Sequence, residues 1–156
     1  MSVEKVKNYL AQYGASDSVM VFEQSCATVE LTAAAVGCEP ARIAKTLSFD
    51  VNGQVVLIVA SGDVKIDNAK YKAKFGARTK MLVPDEAVLR TGFAIGAISP
   101  FGTNKGVAIY LDESLKRFET VYPGGGCDSS IVKVTISELE EYSKYTAWVD
   151  VTKPRE

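Results

Sequence analysis

The sequence predicts an α+β domain rather than a doubly wound parallel sheet. Three observations carry this: an Asn52-Gly53 pair between two apolar runs, several strand-like segments in succession without full helices between them, and short helical stretches bounded by capping residues and glycines. With 156 residues, 47% hydrophobic and 24% charged, the chain suits one domain spanning 1–156.

Ser2 can cap a first helix in which Val3, Val6, Leu10 and Tyr13 recur at helical spacing, and Gly14 suits its left-handed end. After an apolar run at 19–22, Thr28 caps a second helix that reaches Val36 and stops at Gly37. Pro40 fits the first turn of a third, which would deliver Lys45. Residues 46–51 and 54–60 flank Asn52-Gly53, a pair that takes the positive φ angles of a type I′ hairpin turn. Asp67 caps a helix ending at Phe75 and Gly76, residues 79–83 read as a strand, and Pro84 opens a helix that Gly92 closes. Beyond a loop at 96–102 come strands near 107–111 and 119–122, a glycine turn at 124–126 and a strand at 131–135. Ser137 and Glu140 make a capping box for the last helix, and residues 153–156 are expected to fray.

Composition excludes much chemistry. The chain has no histidine, which removes Ser-His and Cys-His catalysis and histidine-ligated metals together. Cys26, Cys38 and Cys127 lack CxxC spacing, so neither a disulfide framework nor a zinc site is expected. No run approaches the roughly 18 apolar residues of a membrane span, and Glu4 and Lys5 stand where a signal peptide would be apolar. A soluble, cytoplasmic protein without a membrane partner is expected. A net charge of −1 argues against a general nucleic-acid binder and against DNA as a partner. One stretch is cationic all the same: Lys65, Lys70, Lys72, Lys74, Arg78 and Lys80 face a single acid, Asp67. It could hold an RNA backbone or be a solvated face. Tyr71 and Phe75, four apart, read as core contacts.

Lys45 follows Ile43 and Ala44 and precedes Thr46-Leu47-Ser48, which sets a long cation beside an apolar element. Its ammonium could bind a phosphate, polarise an ester carbonyl or stabilise an oxyanion. The alternative is a lysine snorkelling at a helix end near the negative pole of the dipole. Residues 96–102 compose a rigid Gly/Pro turn whose amides can approach a ligand and form an oxyanion hole, or an ordinary connection. Residues 124–126, with Cys127, Asp128 and Ser129, form an anion nest or substrate wall, or a flexible link. Asp128 could orient a water or shape a turn, and Cys127 would need Lys45 or a helix N-terminus to become nucleophilic.

Taken together, Ala41-Arg42-Ile43-Ala44-Lys45-Thr46-Leu47, Gly96-Ala97-Ile98-Ser99-Pro100-Phe101-Gly102, and Gly124-Gly125-Gly126 ahead of a strand and a Ser137-Glu138-Leu139 helix follow the order and spacing of a known family. Over about 20–140 the chain resembles the YbaK/prolyl-tRNA-synthetase-associated family, and 65–77 and 111–115 also look like it. The resemblance implies a mixed, strongly curved, barrel-like sheet surrounded by helices. It implies a free-standing deacylase that removes a wrongly attached small amino acid, such as alanine, cysteine or serine, from tRNA, often tRNA for proline. A synthetase is then a candidate partner, and no metal or organic cofactor is expected.

In the family the lysine matching Lys45 is required for activity, the loop matching 96–100 contacts the aminoacyl carbonyl and terminal ribose, and the glycine-rich loop walls the amino-acid pocket. The candidate set is then Lys45 and Gly96 for catalysis, with Phe22, Thr46, Ile98, Ser99, Pro100, Gly125, Gly126 and Asp128 for the substrate. Lys65, Lys70, Lys72, Lys74, Arg78 and Lys80 are the candidates for RNA. The chain departs from the family pattern at Phe93, where many relatives carry histidine, and at Ala97, where glycine is frequent. Its third loop, Gly-Gly-Gly-Cys-Asp-Ser-Ser, lacks a basic residue. A non-catalytic aminoacyl-tRNA-binding module and a scaffold of the same fold are the competing functions, which lysine-dependent hydrolysis separates.

Overall fold

The structure, a computed structural model, describes residues 2–26 and 28–155. The chain runs α1 (Ser2–Ala11), β1 (Val19–Val21), α2 (Val29–Val36), a 3-10 turn (Pro40–Arg42), β2 (Ile43–Val51), β3 (Gln54–Ser61), β4 (Val64–Ile66), α3 (Asn68–Phe75) and α4 (Pro84–Thr91). It continues through β5 (Ala108–Asp112), a second 3-10 turn (Glu113–Arg117), β6 (Thr120–Pro123), β7 (Ser130–Val132), β8 (Val134–Thr135), α5 (Ile136–Ser143), β9 (Ala147–Val149) and β10 (Thr152–Pro154). Six strands form a mixed sheet, curled into half a barrel, in the order β8-β6-β2-β3-β5-β9, while β1 pairs with β7 and β4 with β10. This is the α+β arrangement expected from the sequence.

The β2–β3 hairpin is the frame. Asn52 and Gly53 both have positive φ, 51° and 90°, and Val51 lies opposite Gln54. The Asp50 carboxylate accepts from the Gly53 amide at 2.8 Å, which closes the turn. β3 has β2 antiparallel on one side and β5 parallel on the other, so it is central and must be apolar on both faces; Val55 to Ala60 are all buried. Leu57 and Val59 pack with Val6, Leu10, Leu139 and Tyr142 of the flanking helices. On the opposite face Val56 and Ile58 pack with Phe49, Tyr71 and Val149. Tyr71 and Phe75 are thus core residues, their rings 4.8 Å apart.

Local capping works where the sequence has it. The Thr28 hydroxyl accepts from the Leu31 amide, Asp67 accepts from Ala69 and Lys70, and Gly37, Gly76 and Gly92 close their helices in the left-handed conformation. Five expectations are corrected, the last of them at the C-terminus. Pro40 opens only a 3-10 turn, because Ile43 already takes extended dihedrals and enters β2; Lys45 therefore stands third in a strand and no helix delivers it. Residues 79–83 make a single bridge, Met81 to Phe49, and not a strand, since Pro84 lacks the next amide and begins α4. Residues 131–135 divide at Lys133, whose amide turns to the Ser18 carbonyl at 3.0 Å. The capping box is Thr135 with Glu138, not Ser137 with Glu140, because Thr135 leaves β8 already extended and serves as the cap.

Nor do Lys153 and Pro154 fray, since β10 pairs with β4 through them. Asp112, wholly buried at the end of β5, anchors this strand: it accepts from the Val151 amide at 3.0 Å, the Thr152 hydroxyl at 2.7 Å and the Ser114 amide at 3.0 Å. Glu156 and the Ser2 side chain, to which fraying and capping were ascribed, lie outside the described residues. No described helix is long and apolar enough to cross a membrane.

Candidate active site

Lys45 and Thr46 of β2, Gly96 and Ile98 of the loop after α4, and Ser130 of β7 line one cavity of about 270 Å³. Its wall also includes Val29 and Thr32 of α2, Ile43, Tyr122 and Ile131. A concave, mainly apolar space with a few polar groups is the usual form of a small-ligand site.

Lys45 is half-buried and its Nζ donates to the Val64 carbonyl of β4. Burial lowers its pKa, Arg155 lowers it further, and Asp63 and Glu30 pull the other way. No helix ends at Lys45, so the dipole does not account for it, and among the described residues no carboxylate forms an ion pair with it. One donor is spent on Val64 and two remain for a ligand. The carbonyl is fixed from behind: Arg117 meets Asp63 at 2.6 Å and the Ser61 hydroxyl at 2.8 Å, pinning the turn between β3 and β4 and holding the Asp63 carboxyl below its usual range.

The second wall consists of two loops in close contact. A methyl group added at Gly124 would lie 2.6 Å from the Ile98 carbonyl oxygen, and one at Gly125 would meet the Ser130 hydroxyl at 2.7 Å. Gly124→Ala therefore forces the loops apart beside Lys45. The expected result is a loss of about 1–3 kcal/mol in denaturant unfolding together with weakened ligand binding, and unchanged stability would refute the close contact. Of the amides in 96–101, that of Ala97 is taken by the Ala94 carbonyl and that of Phe101 by the Ser99 hydroxyl. Among the described residues the Gly96 and Ile98 amides have no protein partner, and Gly96 is exposed at the opening.

Apart from Lys45 and Tyr122, the polar side chains of the cavity are small. Thr32 shares its hydroxyl between the Cys26 and Thr28 carbonyls at 2.8 and 2.7 Å, and Ser130 binds the backbone of Cys127. Thr46 Oγ1 is buried without a hydrogen-bond partner among the described residues, which a bound polar group would relieve. Among the described residues no aspartate or glutamate lines the cavity. Burial would raise the Cys127 thiol, but hydrogen bonds with Ser129 and Ser130 outweigh it and its pKa falls; Cys127 is not part of the cavity wall.

The other residues singled out by sequence stand elsewhere. Ser99 and Pro100 are buried behind the loop. Phe22 donates its amide to the Ser129 carbonyl at 2.7 Å, and the backbone carbonyl of Asp128, whose residue is exposed, accepts from the Cys26 amide, which stitches the third loop to the segment after β1. Gly125 and Gly126 are buried one layer out from Gly124. In the basic stretch Lys70 is committed to Asp150 and the Thr152 carbonyl, at 3.0 and 2.9 Å, and Lys65 sits on β4 opposite Lys153. Lys72, Lys74, Arg78 and Lys80 are exposed, and Lys80 directly precedes Met81 at the cavity mouth. The sequence reading missed Thr32, Met81, Ile95, Tyr122 and Ser130; only Tyr122, beside the glycine turn, had a local signal.

A family model for the aminoacyl-tRNA editing domain matches residues 23–142. The uncharacterized protein YwhH of Bacillus subtilis (strain 168) is 46% identical over 98% of each chain. The proline–tRNA ligase of Lysinibacillus sphaericus (strain C3-41) is 28% identical over 76% of this chain, which spans only 22% of the ligase. A solved structure described as a candidate trans-editing enzyme for prolyl-tRNA synthetase superposes with a TM-score of 0.89 over 97% of both chains, at 29% identity.

Proposed function

The chain belongs to the aminoacyl-tRNA editing domain family, and from that premise we propose that it hydrolyses the ester joining a wrongly attached small amino acid to tRNA. Transfer RNA for proline is the proposed carrier, consistent with the ligase and trans-editing relatives. The observation that carries the reading is the half-buried Lys45 ammonium, with two donors to spare, on the same cavity as the unpartnered amides of Gly96 and Ile98.

In this reading the amino-acid side chain enters the apolar cavity. Lys45 holds the acyl group or the terminal phosphate, and the loop amides meet the oxyanion as water adds to the carbonyl carbon. The carbon–oxygen ester bond breaks, the ribose oxygen takes a proton, and free amino acid and tRNA leave. With no carboxylate among the described lining residues, the proton is handled by the substrate: the neighbouring ribose hydroxyl positions the water, or a cysteinyl thiol adds to its own carbonyl carbon, its proton goes to the departing ribose oxygen, and the amino acid leaves as a cyclic thioester that water then opens. The cavity selects by volume and by its small hydroxyl groups.

The test is the deacylation rate on tRNA for proline charged separately with alanine, cysteine, serine and proline. Lysine-dependent hydrolysis of a noncognate ester supports editing, whereas binding without turnover makes the chain an aminoacyl-tRNA-binding module. A pH profile adds a second check. The role of Lys45 needs the ammonium, whose folded pKa is lowered first by burial and then by Arg155. Enzymatic deacylation, corrected for the spontaneous rate, should fall as pH rises through that lowered pKa. Arg155→Gln removes a repelling cation, so this alkaline limb should move to higher pH; a limb that stays put or moves down contradicts the assignment.

A further inference from the structure

The mouth of the cavity carries two exposed apolar side chains. Met81 is 53% and Ile95 49% exposed, and both line the opening. Isolated exposed apolar residues are ordinary, but these come from separate segments and converge on one site. Met81 is held firmly: the Lys80 carbonyl accepts from the Asp50 amide at 2.8 Å, and the Leu82 amide donates to the Ser48 carbonyl at 3.1 Å. Leu82 is buried against Val55 and Ala87, so Met81 alternates outward. Ile95 directly precedes Gly96, whose free amide marks the reacting end in the reading above.

A ligand whose acyl group enters the cavity must leave its alcohol part at the opening, and for an aminoacyl ester that part is a ribose with its base. The segment that carries Met81 is basic. Residues 68–84 contain five lysines or arginines and no acid, and of these Lys72, Lys74, Arg78 and Lys80 are exposed. An apolar, polarisable seat on a basic segment matches the unpaired end of an RNA strand, with flat bases and charged phosphates, better than it matches a protein surface.

We propose that Met81 and Ile95 form the seat for the unpaired 3′-terminal nucleobase of the RNA, with Lys80 and Arg78 alongside its phosphates. The proposal rests on the editing reading for the direction in which the ester enters. Met81 and Ile95 act here by positioning and do not touch the scissile bond.

The test uses a hairpin RNA ending in the unpaired CCA common to tRNA, with alanine amide-linked to its 3′ end so that it cannot be hydrolysed, and a second RNA lacking the terminal base. Anisotropy titration should show Met81→Ser/Ile95→Ser weakening the first RNA about tenfold, with the salt dependence unchanged because no cation is lost. Removing the terminal base should weaken wild type by a similar factor and have little further effect in the double variant. Met81→Phe, which offers a ring in place of the thioether, should retain binding. On the ester the double variant should raise KM with kcat within about twofold. Equal affinity of wild type and double variant for the CCA hairpin, indifference of wild type to the missing base, or no binding of RNA by wild type overturns the proposal and leaves the patch to another partner, such as a protein. If base and side chains are coupled in binding but no ester is hydrolysed, the seat stands and the proposed reaction falls.

Discussion

Lys45→Met should reduce deacylation of the mischarged ester to the spontaneous rate while leaving the protein no less stable than wild type. The two halves of this result have one cause. The Lys45 ammonium is drawn out of water with, among the described residues, only the Val64 carbonyl as hydrogen-bond partner and a cation, Arg155, acting on it. Its folded pKa therefore lies below its unfolded value, so the charged form disfavours the fold at neutral pH, and this penalty fades only as pH rises toward the unfolded pKa. Methionine keeps the apolar stem and removes the penalty. A charge held at a disadvantage is expected of a working group rather than a structural one. Thermal unfolding at pH 7 and single-turnover deacylation measure both halves; a large fall in Tm would make Lys45 structural, and turnover at the wild-type rate would remove it from the chemistry.

Asp112→Ala should be the most destabilising single change among the contacts described. The carboxylate is wholly buried and accepts from the Val151 amide, the Thr152 hydroxyl and the Ser114 amide. Charge-assisted bonds contribute roughly 1.5–3 kcal/mol each, and a buried donor left without an acceptor is costly, so about 4 kcal/mol is expected. Asp112→Asn, isosteric but with one acceptor fewer, should lose about half as much. Urea titration gives the difference, and a loss under about 1 kcal/mol would show that the three donors find other partners. Because Asp112 anchors the strand that pairs with β4, amides of 64–66 should exchange faster in the alanine variant, while those of β2 and β3 remain protected.

What was legible in the sequence was what a few neighbouring residues decide. Asn52-Gly53 specifies the hairpin because the pair itself takes the required dihedrals, and Thr28, Asp67, Gly37, Gly76 and Gly92 bound their helices by bonds made within one turn. Where the outcome depended on a distant partner, the reading failed. Ile43 leaves its turn early because Tyr122 and Ser61, from other strands, extend the sheet to it and to Ala44. The three-residue strands Ala147–Val149 and Thr152–Pro154 are too short for an alternation to show, and they pair with β5 and β4. The site divides the same way. Lys45 and the loop from Gly96 stand out by residue type, whereas Thr32, Met81 and Ser130 are common residues that become lining only when six segments meet.

The pairing of β4 with β10 also sets an order of events. The β2–β3 hairpin needs only a two-residue turn and can close in microseconds, but β4 waits for a segment far along the chain, and long loops close slowly and at greater entropic expense. Val64 lies in that late strand. Until it zips, Lys45 is an ordinary solvated amine on an exposed hairpin, and only the final docking step withdraws it from water. The scaffold is thus assembled before the chemistry is switched on, and a partly folded chain is expected to be inert toward esters.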